Sequence, residues 1–274
     1  MKVLRKVNMK HTLMSVRRIC WESRKLSSVY VNTLMSQEDM NALYYKVSLP
    51  DYRESRIIIS ELSVPKLERS ANVSVPALLD NSKQFTSLIE RPVSPCSKRL
   101  LCVPNAGGNS VFSEALSFEF IKKIFKLTLN VSVSLKKTEM ELVYVGGSKI
   151  TDFSFTASSN KSFGCSVTRA FNYYDLDSVY PDSAIERLLS KKLAGINEST
   201  RNVLNDQWDH QILHVWTTNV ETAEAIKRVY DTKIDNDLKS DTLVIITVAR
   251  TSYECLYRER DSDATRAKNM LGLH

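Results

Sequence analysis

Residues 139–171, EMELVYVGGSKITDFSFTASSNKSFGCSVTRAF, decide the fold of this chain. Its runs of Val, Phe, Thr and Tyr have the composition of strands, because β-branched and aromatic side chains suit a pleated, half-buried surface. The Gly146-Gly147-Ser148 triplet between the first two runs supplies a turn. The spacing predicts strands over 139–145, 149–156 and 163–171, close enough in sequence to form a meander.

Working outward, residues 109–127 read as a helix, opened by the breaker pair Gly107-Gly108 and capped by Asn109 or Ser110. Downstream, Pro181 opens a helix that runs to about residue 198. A strand follows at QILHVWT (211–217), a helix over 220–230, and a last strand at TLVIITVA (242–249). That last strand is nearly all apolar, as a strand covered on both faces must be. The order is therefore helix, three strands, helix, strand, helix, strand. The helix after the third strand can cross over to the fourth. The expected fold is α/β, a mixed sheet flanked by helices, over residues 105–250.

The rest of the chain is less patterned. Residues 32–104 hold prolines at 65, 76, 92, 95 and 104 among many serines and read as irregular, apart from a short helical stretch over 37–45 and a strand at RIIISEL (56–62). Residues 251–274 read as a charged, solvated tail. Residues 1–31 carry eight basic residues against a single acid, Glu22. Taking these from the totals of 38 and 31 leaves 30 of each, so the remainder of the chain is neutral. The basic surplus thus marks the N-terminal extension and gives no sign of a nucleic-acid face on the domain. Loosely spaced apolar residues, serines and near-absence of acids are the composition of a mitochondrial transit peptide. That makes the mitochondrial matrix the expected destination, with a basic arm on a cytoplasmic or nuclear protein as the other reading.

Composition excludes several classes. With 7 glycines and neither a G-x-G-x-x-G nor a phosphate-loop pattern, nucleotide-cradling folds are not indicated. No run approaches 18 apolar residues, so no membrane span is expected. Five scattered cysteines without a C-x-x-C pair give neither a zinc site nor a disulfide framework. His214 lies inside a strand beside Trp216, where a core imidazole is expected. Tyr173 and Tyr174, in the loop after the third strand, could stack on bases or simply pack.

The element order, with the stretches SEALSFEF, KTEMELVY, GCSVTRAF, ERLLSKKLAG and QILHVW, resembles the PD-(D/E)XK or restriction-endonuclease-like superfamily, and an uncharacterised eukaryotic family with that fold. The resemblance covers residues 105–249. It implies a site for Mg²⁺ or Mn²⁺ and cleavage of DNA or RNA. Asp152, in KITDF, matches the aspartate that binds metal at the start of the second strand, with Thr151 where Pro is common. Glu114, in SEALSF, matches the glutamate of the first helix. On the third strand Ser166 and Thr168 fall where the family has Glu and Lys, which removes a hard anionic ligand and the charge that steadies the nucleophile. Lys192 stands within the apolar stripe Ile185, Leu188, Leu189 and Ile196 of the next helix, where the family's lysine sometimes migrates. A snorkelling lysine is the plain alternative. Arg169 could bind phosphate through its fork, or pair with an acid in a metal-free core.

Two functions follow from the resemblance. One is a divalent-metal phosphodiesterase using Asp152 and Glu114 as ligands and Lys192 as the displaced lysine. The other is a non-catalytic copy of the fold that serves as a binding or assembly module.

Overall fold

The computed structural model describes residues 44–48, 57–63, 83, 86, 93–104, 110–158, 160–249, 254–257 and 261–273. The expected transit segment, residues 1–31, lies outside these. The strands are β1 (Tyr44–Ser48), β2 (Ile57–Ser63), β3 (Val133–Thr138), β4 (Phe153–Ala157), β5 (Ser162–Ala170), β6 (His210–Thr217) and β7 (Leu243–Val248). The helices are α1 (Pro95–Cys102), α2 (Val111–Leu129), α3 (Asp182–Asn202), α4 (Val220–Lys233), the single turn α5 (Asn236–Lys239) and α6 (Asp261–Leu271). All seven strands form one sheet in the order β1-β2-β7-β6-β5-β4-β3. β2, β7, β6 and β5 run parallel; β1 and the β3–β4 hairpin are antiparallel to their neighbours. The protein is thus α/β with a mixed sheet flanked by helices, as the element order predicts.

Period-two alternation sorts the strands between two cores. Cys165, Val167, Ile212, Trp216 and Ile245 join Phe112, Phe118 and Ile121 of α2 on one face. Leu213, Val215, Val244 and Ile246 meet Ile185, Leu189 and Leu193 of α3 and Ile226 and Val229 of α4 on the other. Phe153 meets Phe118 edge-on at 5.9 Å, and Phe155 stacks on Phe163 at 5.0 Å, so rings lock the hairpin to α2 and β5. α2 ends at Asn130, whose left-handed backbone (φ 52°) lets its N–H reach the carbonyls of Lys126 and Phe125.

Five expectations are corrected. The first strand of the meander is Val133–Thr138, and EMELVYV forms none. Glu141 turns back onto the Thr138 N–H, closing a capping box around a 3₁₀ turn at Glu139–Glu141, and Tyr144 keeps only an isolated bridge to Val203. Lys149–Thr151 form a lead-in, and the second strand begins at Phe153. The region read as irregular contributes β1, β2 and α1 to the domain, with β2 matching the RIIISEL expectation. Tyr44 and Tyr45 are in a strand, against the expected helical stretch, whose residues 37–43 lie outside the described ones.

The fifth correction concerns the C-terminal tail. Residues 254–257 and α6 are packed on the domain, with Cys255, Leu256, Tyr257, Ala267 and Leu273 buried. The Tyr257 hydroxyl lies 2.7 Å from the Thr217 carbonyl and 2.6 Å from that of Ala249, closing the gap where β6 and β7 end. Charged residues on the exposed side of α6 masked the apolar side that holds it down.

Candidate functional site

The β4–β5 ladder runs from Thr156↔Ser162 to Phe153↔Cys165 and stops there. The Asp152 N–H still reaches the Cys165 carbonyl at 3.1 Å, after which the chain turns away. Two residues further along β5, Val167 points its N–H and C=O at the place β4 has left. In a strand the peptide groups of alternate residues face the same neighbour. Buried main-chain groups need partners, and here two side chains replace the missing strand. Asp152 Oδ2 accepts the Val167 N–H at 2.5 Å, and Lys192 Nζ, from α3, donates to the Val167 carbonyl at 3.1 Å. The aspartate and the lysine singled out from sequence therefore meet on the main chain of one residue, Val167.

Opposing effects act on Asp152, and burial is the largest. Burial pushes the Asp152 carboxyl above its ordinary range, while Lys192 and the Val167 N–H pull the other way. The Cys165 thiol is raised well above its usual value, first by burial and then by the fields of Asp152 and Glu114. Glu114 lies in the first turn of α2 and is buried, so it faces inward as its helical position implied. Both carboxylates are thus felt at Cys165. Ser166 and Thr168 are buried on the face opposite Cys165 and Val167, as the alternation predicts. Arg169 is half-buried, and its Nη1 donates to the Leu256 carbonyl at 3.2 Å, tying β5 to the C-terminal segment. A guanidinium held there anchors the fold, whatever else it meets.

His214 is a core residue, as expected. It is wholly buried, its Nε2 lies 2.8 Å from Thr247 Oγ1, and its ring stacks on Phe120 at 5.3 Å. Burial pushes its pKa down to about 3, so the ring stays neutral at ordinary pH. Tyr173 and Tyr174 are exposed and meet edge-on at 5.7 Å.

Among the buried acids that sequence reasoning missed are Asp206 and Glu119. Asp206, in the loop after α3, takes an ion pair from Lys136 and a hydrogen bond from Ser154 Oγ at 2.6 Å. A loop aspartate carries no periodic signal. Glu119, on α2, accepts from Ser94 and Ser97 at the start of α1 and from Lys122 at 3.1 Å. Its position between Phe118 and Phe120 in an apolar helix was the available sign, since such an acid needs a partner.

A resident Mg²⁺ or Mn²⁺ would require several hard oxygen ligands converging on one point. Among the described residues, no group of three or more His, Cys, Asp or Glu side chains is arranged to hold a metal ion. Asp152 already accepts from Val167, and the hydroxyls of Ser166 and Thr168 carry no charge. Among the described residues this donor set offers a divalent cation few charged oxygens.

No family model matches the chain, and no solved structure matches it. An alignment over 177 residues that covers 61% of the chain is 41% identical to the AAC-rich mRNA clone AAC4 protein of Dictyostelium discoideum. The match covers 25% of that protein, so this chain spans about a quarter of its relative's length.

Proposed function

We propose that this chain is a restriction-endonuclease-like module that has given up phosphodiester cleavage and serves as a binding or assembly domain. The observation that carries the proposal is the use of Asp152 and Lys192 on the two polar groups of Val167. In a cleaving site the carboxylate would face a cation and the lysine a developing negative charge. Here their charges balance each other and close a strand edge. Ser166 and Thr168, in place of a Glu and Lys pair, support the same conclusion.

One observation favours a second reading, a divalent-metal nuclease. Asp152, Lys192 and the field of Glu114 all act around Cys165 and Val167 of β5, as a displaced-lysine site would require. The two separate in a cleavage assay on single- and double-stranded DNA and RNA with Mg²⁺ or Mn²⁺. The proposal expects identical traces from the wild-type chain and Asp152→Ala. Metal-dependent cleavage that disappears in the variant would establish the nuclease instead.

A further inference from the structure

Parallel strands β5, β6 and β7 all end at one edge of the sheet, and the connections that leave them there build an exposed surface. Residues 172–181, after β5, lie against the start of α4. Asn219 Nδ2 donates to the carbonyls of Asp177 and Ser178 at 3.2 Å, and the Tyr180 N–H reaches Thr222 Oγ1 at 3.0 Å. Val179 lies in the chain between those two contacts and Val220 directly follows Asn219; the two valines are 49% and 46% exposed. Tyr174 is 93% exposed on the same loop. Asp175 and Asp177 on that loop and Glu221 on the first turn of α4 are exposed as well. Arg228, nearby on α4, is already paired with Asp182 at 2.7 Å. Exposed apolar and aromatic side chains on elements that also carry charges of one sign mark a place for a partner of the opposite sign.

The topology delivers such a partner. Tyr44, the first residue of β1, is paired with Ser63 at the end of β2, and β2 is parallel to β7, with Glu61 opposite Val248. The chain preceding β1 therefore leaves the sheet at the same edge as this surface. Four strand intervals separate β1 from β5, roughly 19 Å. Residues 32–43 can span up to about 40 Å when extended. Beyond them lie residues 1–31, with eight basic residues, one acid, and Val, Leu, Ile and Trp21 among them.

We infer that residues 1–31 dock in cis on the acidic and apolar surface formed by residues 172–181 and the first turn of α4. Basic side chains meet Asp175, Asp177 and Glu221 while apolar ones cover Tyr174, Val179 and Val220. The inference does not depend on whether Asp152 ever holds metal.

Zero-length carbodiimide coupling on the full chain tests it, since that reagent joins an amine to a carboxylate only where the two touch. Peptide mass spectrometry should find Lys2, Lys6, Lys10 or Lys25 joined to Asp175, Asp177 or Glu221. The yield should fall roughly threefold or more at about 0.5 M salt, where exposed charges are screened. A Tyr174→Ala, Val179→Ser double variant, which keeps every carboxylate, should lower the same links. Mixing isotopically light and heavy chains should give links within one copy only. Links spread equally to Asp237 and Asp241 at the opposite edge, links between light and heavy copies, or a yield indifferent to the double variant would each overturn the inference.

Discussion

Replacing Asp152 by Ala or by Asn separates its two roles at the β4–β5 fork. Alanine leaves the Val167 N–H with no acceptor, at a cost of about 1–3 kcal/mol for an unsatisfied buried donor. It also strands the Lys192 ammonium. Breaking a fully buried pair costs about 3–5 kcal/mol, but Lys192 is only half-buried, so a fraction of that applies. Together Asp152→Ala should cost about 3 kcal/mol. Asparagine strands Lys192 equally but keeps an oxygen for Val167 and removes a charge that burial already disfavours, so its cost should be about 1 kcal/mol. Urea unfolding measures both, provided the midpoint shifts while the slope stays constant. A gap of about 2 kcal/mol between the variants isolates the hydrogen bond to the strand edge. If Asp152→Ala costs less than about 0.5 kcal/mol, or stabilises the fold, the reasoning fails. A stabilising loss would mark a residue kept for activity at the expense of stability.

Other perturbations test neighbouring parts of the account. Lys192→Met should orphan the Val167 carbonyl and cost about 1–2 kcal/mol by the same urea measurement, while Lys191→Met, on the exposed side of α3, should be near neutral. His214 has a folded pKa depressed to about 3, so the unfolded chain takes up the proton first; stability present above pH 6.5 is lost as pH falls toward 3. About 2 kcal/mol should go between pH 7 and pH 5, and a His214→Gln chain should lack that part of the slope. A Cβ on Gly164 would stand 2.7 Å from Gln211 Oε1 and 2.8 Å from the Trp208 indole, so Gly164→Ala should cost about 1–3 kcal/mol and lower the melting temperature. Tyr257→Phe should cost about 1–2 kcal/mol and speed hydrogen exchange at Ala249.

Periodicity made the middle of the domain legible. The apolar stripe of α3, the uninterrupted hydrophobic run of β7 and the alternation along β5 each reflect burial that repeats with the backbone. Single hydrogen bonds gave no such signal. EMELVYV has strand composition, yet the Glu141 carboxylate on the Thr138 N–H makes a turn of its start. The true first strand, VSLKKT, was hidden because its outward residues include adjacent lysines and its register shifts between Leu135 and Lys137. β1 and β2 are made by pairing with strands distant in sequence, which local pattern does not report. At the candidate site, the convergence of Asp152 with Lys192 followed from their places on strand and helix. What they converge on did not, because the loss of β4 as a partner beyond Cys165 is a property of the sheet.

The most direct test of the central claim is the amide resonance of Val167 during a Mn²⁺ titration, since a bound paramagnetic ion broadens signals around it. If Asp152 and Lys192 serve the strand edge, the Val167 signal keeps its width at millimolar Mn²⁺ in the wild-type chain. Saturable broadening at Val167 and Cys165 that vanishes in Asp152→Ala would show a cation held by that carboxylate and contradict the account.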